Sequence, residues 1–330
     1  QDGRFREFTQ ADIDVVGLGE LPFHYEVDLP LVMAEALMSL PIPPVHVLVN
    51  NRKVVQGVCE GIGVSDVESA LRGLDKLDKI GPEGVREELT EAGLNSEQID
   101  VLLRMAQIRS EDASQLQQEV AALGVSSETL DQGLTELCAL VDEANAAMPG
   151  VIIADLKIAR GLDYYTGSVY ESEIVGHEDL GSICSGGRYD SLAKDGKRTY
   201  PGVGLSIGVS RLVSRILSQD MVSASRKVPT CVVIAVADES ERRHCNALAT
   251  ILRRRGIPTD VAPSAAKFGK QIKFADKRGI PFVWFPGSDG EADTVKDIRS
   301  GEQVEADIYS WQPPEDDVRP AIQPTDETDF

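Results

Sequence analysis

Cysteine, histidine and long apolar runs are scarce in this chain of 330 residues. Its five cysteines are odd in number and scattered, and its four histidines show no metal-ligand spacing. This distribution argues against both a disulfide framework and a zinc site. No stretch approaches the roughly 20 apolar residues of a membrane-spanning helix, and the polar N-terminal residues do not resemble a signal peptide. We therefore predict a cytoplasmic protein with no protein-held metal and no membrane partner.

Positive charge is also in short supply. The chain has 33 Lys and Arg residues against 54 Asp and Glu residues, which gives a formal net charge of −21. Such a field repels nucleic acid at long range. The balance argues against DNA as a partner, and any RNA complex must depend on local basic patches.

The common phosphate-binding loops are absent as well. No Gly-x-x-x-x-Gly-Lys-[Ser/Thr] sequence occurs, and Gly202-x-Gly204-x-x-x-Gly208 is longer than the dinucleotide fingerprint. This glycine run also lacks the surrounding βαβ unit that the fingerprint requires. A nucleotide bound by this chain would therefore have to be held by arginines.

The most informative stretch that is present runs from Lys157 to Glu171 (KIARGLDYYTGSVYE). Its pattern predicts two antiparallel strands around a glycine-marked bend. Arg160 offers planar donors suited to carboxylate or phosphate, and Tyr164 and Tyr165 offer rigid walls with hydroxyl tips. A surface hairpin with an ordinary arginine salt bridge is the alternative that residue types alone leave open.

A second polar group comes from the start of the chain. From Phe8 onward, Gln10, Asp12 and Asp14 alternate with other residues and share one face of a predicted strand. Three aligned polar side chains need partners. An edge strand with a solvated face is the simple alternative.

Three separate segments together resemble one protein family. Lys157–Glu171 resembles the signature peptide of histidyl-tRNA synthetases, and Ser185–Asp190 (SGGRYD) resembles the second histidine-specific peptide of that family. Gly202–Leu212 (GVGLSIGVSRL) resembles motif 3 of class II aminoacyl-tRNA synthetases. The three follow each other in the order the family shows. The chain is thereby identified as a member of this family.

The resemblance assigns ATP to three residues. The first residues resemble the second half of class II motif 2, in which an arginine and a phenylalanine stand four residues apart. By that likeness Arg4 contacts the terminal phosphate and Phe8 stacks on adenine. Arg211 of motif 3 contacts a phosphate at a helix N-terminus. Ser210 stands where family members usually carry an acid, which puts magnesium coordination there in doubt.

The resemblance also assigns the amino acid. Gln10 and Asp14 would recognise the imidazole of histidine, since an amide and a carboxylate can satisfy both ring nitrogens. Arg160 would lie near the reacting carboxylate and the α-phosphate, so the catalytic roles fall to Arg160 and Gln10. The remaining residues expected to bind histidine are Tyr164, Tyr165 and Tyr189.

Composition and length predict two or three domains. The expected fold is an α+β class II catalytic domain on an antiparallel sheet, with a helical insertion and a C-terminal α/β anticodon-binding domain. By this resemblance the chain begins inside motif 2, so we expect it to lack roughly the first hundred residues of a synthetase. The predicted divisions are catalytic core 1–44, helical insertion 45–149, catalytic core 150–222, linker 223–228, anticodon-binding domain 229–312 and a disordered acidic tail 313–330.

Two basic segments are candidates for contact with RNA. Lysines repeat at helical spacing in the predicted anticodon-binding domain, and an arginine run closes the preceding helix; the residues expected to contact tRNA are Arg254, Lys267, Lys270, Lys273 and Lys277. The turn Asn50-Asn51-Arg52-Lys53 is also basic, but exposed cations there are more simply explained by solvation.

The resemblance implies a histidine–tRNA ligase that uses ATP, with Mg²⁺ bound to it, and tRNA(His). A homodimer is expected for the full-length protein. The alternative is a catalytically inactive synthetase-like sensor of histidine or tRNA, or a regulatory subunit. Retention of Arg4, Phe8, Arg160 and Arg211 favours the enzyme, because a sensor does not need phosphate-binding cations.

Overall fold

A computed structural model describes residues 6–159, 161, 164–288 and 290–325. The chain divides into two compact units with the boundary between Gln219 and Asp220. Within the described residues, no helix combines the length and apolar character needed to cross a bilayer.

The first unit is built on a seven-stranded sheet. Every neighbouring pair of strands is antiparallel except β2 and β4, which are parallel. The order across the sheet is β1-β7-β6-β5-β2-β4-β3. The strands are β1 (Ala11–Val16), β2 (Val45–Asn51), β3 (Arg109–Ser110), β4 (Ile152–Asp155), β5 (Ser168–Ile174), β6 (Cys184–Asp195) and β7 (Arg198–Ile207). The predicted antiparallel catalytic sheet is confirmed.

The two antiparallel strands predicted around the signature bend are present as β4 and β5, but they do not pair with each other as a hairpin. β4 and β5 are not neighbours, because β2 lies between them and pairs with both. The segment 156–167 therefore connects two strands across an intervening one. Sequence alternation cannot reveal this, since β2 is more than a hundred residues upstream.

Eight α-helices belong to the described part of this unit. They are α1 (His24–Met38), α2 (Arg52–Gly61), α3 (Val67–Leu74), α4 (Leu77–Glu91), α5 (Ser96–Met105), α6 (Ala113–Ala121), α7 (Glu128–Ala147) and α8 (Val209–Ser218). Gly81, with φ of 71°, and Pro82 interrupt α4, as their sequence predicts. The range 45–149 predicted as a helical insertion contains helices α2 to α7, but its first residues, Val45–Asn51, form a strand of the sheet. The predicted insertion boundary at residue 45 therefore needs correction.

The two faces of the sheet differ in what covers them. Val47 and Val49 of β2 lie in the main core with Met33 of α1 and Leu137 of α7. Leu48, between them, joins a small cluster on the opposite face, because strand side chains alternate. The five cysteines are all buried as free thiols. One face thus carries the core, and the other remains available for a site.

The second unit contains a mixed five-stranded sheet of order β10-β9-β11-β12-β13. β9 pairs in parallel with β10 and β11, and the hairpin β12–β13 follows, with Gly301 at φ of 81°. The predicted α/β alternation and terminal hairpin are confirmed. The elements are β8 (Val222–Ala224), β9 (Val232–Ile234), α9 (Arg242–Arg254), β10 (Thr259–Val261), α10 (Phe268–Arg278), β11 (Phe282–Phe285), β12 (Thr294–Asp297), β13 (Gln303–Glu305), α11 (Glu315–Val318) and β14 (Ile322–Pro324).

The predicted linker 223–228 and disordered tail 313–330 are wrong for the described residues. Strand β14 of the supposed tail pairs antiparallel with β8 of the supposed linker. Arg226 is buried, and its guanidinium donates to the carbonyl oxygens of Val228, Pro229, Asp317 and Val318. Composition misled here, because one buried arginine and one strand pair order two polar segments that lack a hydrophobic pattern.

Candidate active site

The open face of the first sheet places residues of β1, β7 and β6 side by side. Asp14 lies opposite Gly204, and Gly204 lies opposite Gly187. Residues directly opposite each other in adjacent strands point to the same face. The carboxylate of Asp14 therefore stands beside a floor of two glycines.

Two glycines of β7, Gly202 and Gly204, leave the space that the side chains of Tyr189 and Asp14 occupy. A Cβ atom on Gly204 would overlap the carboxylate of Asp14, and a Cβ on Gly202 would overlap the ring of Tyr189. With both side chains absent, the hydroxyl of Tyr189 reaches across β7 and donates to Asp14 Oδ1 at 2.8 Å. Burial, followed by this contact, raises the pKa of Tyr189 to about 12. The hydroxyl consequently remains a donor at neutral pH.

Tyr165 forms a wall beside this pair. Its ring lies 2.9 Å from the position a Cβ would take on Gly187, and a Cβ on Gly161 would overlap it. Tyr164 packs edge-on against it with ring centroids 4.4 Å apart. Burial, and then the neighbouring Tyr164, raise the pKa of Tyr165. Tyr165 is half-buried, and Tyr164 is 43% exposed.

A cavity of about 350 Å³ opens between the segment that precedes β1, the start of β6, the end of β7 and the first turn of α8. Phe8, Gln10 and Arg211 all line it. The side-chain amide of Gln10 donates to Ser206 Oγ of β7. The structure thus brings the amide predicted for histidine and two of the residues predicted for ATP to one cavity.

Arg211 sits in the first turn of α8. Its guanidinium donates to the carbonyl oxygens of Ser182, at 2.8 Å, and Leu180. Neighbouring Ser210 accepts a hydrogen bond from the backbone N–H of Thr9 at 2.8 Å and returns its own N–H to the Thr9 carbonyl. Ser210 therefore fastens the segment before β1 to α8.

The side chains that line this cavity do not fit a magnesium ion that is coordinated directly by the protein. Its described lining contains no carboxylate, whereas Mg²⁺ in nucleotide sites is held by one or two carboxylates together with phosphates and water. Across the described residues, no three Cys, His, Asp or Glu side chains converge as metal ligands.

A buried charge network, which the sequence analysis missed, supports the site from below. Arg188 of β6 donates to Glu26 Oε1 of α1 at 2.6 Å and to Asp190 at 3.1 Å. Glu26 is 2% exposed, and its other oxygen accepts the N–H of Ser168. The Thr166 hydroxyl donates to Asp190 at 2.5 Å. Arg188 thus pairs with Asp190 of its own strand and with Glu26 of α1; an acid inside an apolar helix was the available signal.

The predicted residues thus fall into three sets. Phe8, Gln10 and Arg211 line the cavity, while Asp14, Tyr164, Tyr165 and Tyr189 lie on the adjoining part of the sheet face without lining it. Arg4 and Arg160 lie outside the described residues, so their predicted roles stay predictions.

In the second unit, the predicted RNA-contacting cations are exposed. The run Arg253–Arg255 divides, because Arg253 donates to the carbonyl of Thr259, and Arg255 donates to those of Ile308 and Trp311. Arg254 points outward. The exposed lysines on one side of α10 and at its N-cap are Lys267, Lys270, Lys273 and Lys277.

The first unit has a mainly antiparallel sheet, with Arg211 where strand β7 passes into helix α8, and the second unit is an α/β domain. This combination is that of the class II aminoacyl-tRNA synthetases. A family model described as histidyl-tRNA synthetase matches residues 1–212, and one described as anticodon binding domain matches residues 230–310. The chain belongs to the histidyl-tRNA synthetase family.

Individual relatives agree with this assignment. The chain is 55% identical to histidine–tRNA ligase of Micrococcus luteus over 98% of its own length and 71% of the relative. For the histidine–tRNA ligase of Cutibacterium acnes the identity is 52%, over 98% and 73%. The crystal structure of histidyl-tRNA synthetase from Nostoc sp. PCC 7120 matches with a TM-score of 0.79 and 35% identity, covering 92% of this chain and 72% of that one.

A more distant likeness concerns the fold alone. A structure described as an ATP phosphoribosyltransferase regulatory subunit/histidyl-tRNA synthetase from Bacillus halodurans C matches with a TM-score of 0.61 at 19% identity. At that identity it carries no weight for a regulatory role.

Proposed function

We propose that this chain provides the histidine-activating and tRNA-binding parts of a histidine–tRNA ligase. The observation that carries the proposal is one continuous face of the sheet. On it the Tyr189–Asp14 pair adjoins a cavity lined by Phe8, Gln10 and Arg211. Such a surface offers a polar site for an imidazole beside an aromatic and cationic site for a nucleotide.

The proposed chemistry needs positioning more than proton transfer. A carboxylate oxygen of histidine attacks the α-phosphorus of ATP, pyrophosphate leaves, and the adenylate then passes its histidyl group to the 3′ end of tRNA(His). The attacking carboxylate is already ionised at neutral pH, so the activation step requires no general base. In the transfer step a ribose hydroxyl of the tRNA loses its proton as it attacks the adenylate carbonyl, and AMP leaves. Arg160 would neutralise charge that develops at the α-phosphate, and Arg211 would hold a phosphate.

Asp14 and Gln10 account for selection of histidine. The carboxylate of Asp14 would accept from one ring N–H, while the amide of Gln10 serves the other nitrogen. Tyr189 occupies one oxygen of Asp14 and so keeps the carboxylate in place. An amino acid without two ring nitrogens would leave one or both of these polar groups without its partner in the complex, which disfavours its binding.

Replacing Tyr189 with phenylalanine should raise KM for histidine about tenfold, because a hydrogen bond to a charged group contributes about 1.5–3 kcal/mol. The kcat for ATP–pyrophosphate exchange should change much less, since the ring still fills its place above Gly202. Steady-state exchange measured against histidine concentration tests this. Tyr200→Phe is the matched control, because Tyr200 lies in β7 and takes no part in the Asp14 pair.

We further propose how ATP binds its metal, and in which oligomeric state and compartment the protein acts. ATP enters as its magnesium complex, with the metal held by phosphates and water. The full-length protein works as a homodimer in the cytoplasm. Histidine binding without any ATP–pyrophosphate exchange in the full-length protein would instead favour a sensor.

The exposed lysines of α10 are proposed to contact tRNA phosphates. Replacing Lys270 and Lys273 with glutamate should lower kcat/KM for tRNA at least tenfold. The slope of log(kcat/KM) against log salt concentration should become less steep by about two units, because about two phosphate contacts are lost. Exchange without tRNA should be unchanged. Reversal of Lys227 and Arg319, also exposed in this unit, is the charge-matched control. Equal loss in both variants would refute a specific surface on α10.

A further inference from the structure

The turn Asn50-Asn51-Arg52 is an internal junction, although the cations of this turn were expected to be solvated. It joins the end of β2 to the start of α2, and both asparagines are 0% exposed. Their side chains point to opposite faces of the sheet, because strand side chains alternate. Asn50 therefore serves the face that carries the site, and Asn51 serves the face that carries α7.

Asn50 holds the entrance of the signature segment Lys157–Glu171. Its Nδ2 donates to the carbonyl oxygen of Ile158 at 2.8 Å and to that of Leu156 at 3.4 Å. Its Oδ1 accepts the backbone N–H of Asn51 at 2.8 Å, which fixes the amide orientation. Ile158 stands two residues before Arg160 in the sequence.

The same turn holds the exit of that segment. The backbone N–H of Arg52 donates to the carbonyl oxygen of Gly167 at 2.9 Å. In the β2–β5 pairing, Asn51 lies opposite Ser168 and Asn50 lies opposite Val169. Three consecutive residues thus contact both ends of the segment that contains Arg160, Tyr164 and Tyr165.

On the other face, Asn51 connects the turn to the insertion. Its Nδ2 donates to Glu136 Oε2 of α7 at 2.9 Å, and its Oδ1 accepts the N–H of Lys53 as the cap of α2. Lys53 Nζ completes the group with a contact of 2.5 Å to Glu136 Oε1. The helical insertion therefore reaches the signature segment through one pair of asparagines.

We propose that Asn50 is a positioning residue for histidine activation, and that the Asn50–Asn51 pair couples helix α7 of the insertion to the signature segment. The inference rests on the proposed function for its kinetic consequence. Its physical basis is a donor requirement: both partners of Asn50 Nδ2 are carbonyl oxygens, so only a side chain that carries hydrogen-bond donors can hold them. Burial makes the loss of that donor costly.

Asn50→Asp in the full-length protein removes the donors while keeping the shape. Asn145→Asp is the matched control, because Asn145 Nδ2 also donates to two carbonyls, those of Glu111 and Ile152, away from the signature segment. Both variants should lose thermal stability. Only Asn50→Asp should lower kcat for ATP–pyrophosphate exchange, by about 100-fold, because small misplacement of catalytic groups has that effect.

A second readout does not depend on activity. Hydrogen–deuterium exchange of peptides covering 156–167 should become faster in Asn50→Asp and in Glu136→Ala, and should stay as in the wild type in Asn145→Asp. If the wild-type protein had no ATP–pyrophosphate exchange activity, the proposed function would be refuted, but hydrogen–deuterium exchange of 156–167 would still test the positioning role of Asn50. Unchanged protection of 156–167 in folded Asn50→Asp, or equal kinetic loss in both asparagine variants, would overturn the inference.

Discussion

Replacement of Arg160 by alanine is expected to reduce histidine-dependent ATP–pyrophosphate exchange by about 1,000-fold, since loss of one preorganised charge-stabilising donor costs up to that factor. The resemblance places Arg160 between the histidine carboxylate and the α-phosphate, where negative charge concentrates in the transition state. The loss should fall on kcat, because the cation acts most strongly when the new bond forms. Pre-steady-state formation of the adenylate measures it directly.

Two comparisons separate this effect from a loss of structure. Arg160→Lys keeps the charge but not the planar fork, so it should recover only part of the rate. Arg72→Ala removes an exposed arginine whose guanidinium pairs with Glu68 four residues earlier, and the rate of ATP–pyrophosphate exchange should be unaffected. A near-normal rate in a folded Arg160→Ala protein would refute the assigned role.

Arg188→Met is expected to lower the free energy of unfolding by about 3–5 kcal/mol, because it leaves the carboxylate of Glu26 buried without its cation. Glu26 is 2% exposed and accepts from both Arg188 and the N–H of Ser168. The change also releases Asp190, whose pKa is held low by Thr166 and Arg188 against the effect of burial. Chemical denaturation of the wild type and the variant gives the difference.

The exposed pair Arg86–Asp100 supplies the control. Its side chains are 37% and 57% exposed, so Arg86→Met should cost less than about 1 kcal/mol. The double variant Glu26→Gln with Arg188→Met removes the orphaned charge and should recover part of the loss. If Arg188→Met were no worse than Arg86→Met, the buried network would have no structural role.

The parts of the fold that follow local rules could be predicted from the sequence. In the C-terminal α/β domain, continuous apolar runs form the buried strands β9 and β11, and the lysines at helical spacing lie on one side of α10. Asp14 was predicted as a strand residue on a polar face, and the structure pairs it with Tyr189. These outcomes depend on periods of two or 3.6 residues, which are written in neighbouring positions.

Other features depend on residues far apart in the chain. The placement of β2 between β4 and β5, and the pairing of β14 with β8, join segments separated by about a hundred residues. The turn that contains Asn50 and Asn51 was interpreted from its two cations, Arg52 and Lys53, as solvated. Burial makes the two asparagines partners of the signature segment and of Glu136 instead.

The sequence by itself determined the family, the order of its motifs and the chemical types of the site residues, because these are properties of short peptides. Only the tertiary structure decided that Gly202 and Gly204 make room for Tyr189 and Asp14, and that Glu26 completes the charge of Arg188. The physical reason is that a hydrogen bond or a steric gap belongs to two surfaces. The packing of the whole sheet decides which two surfaces come into contact.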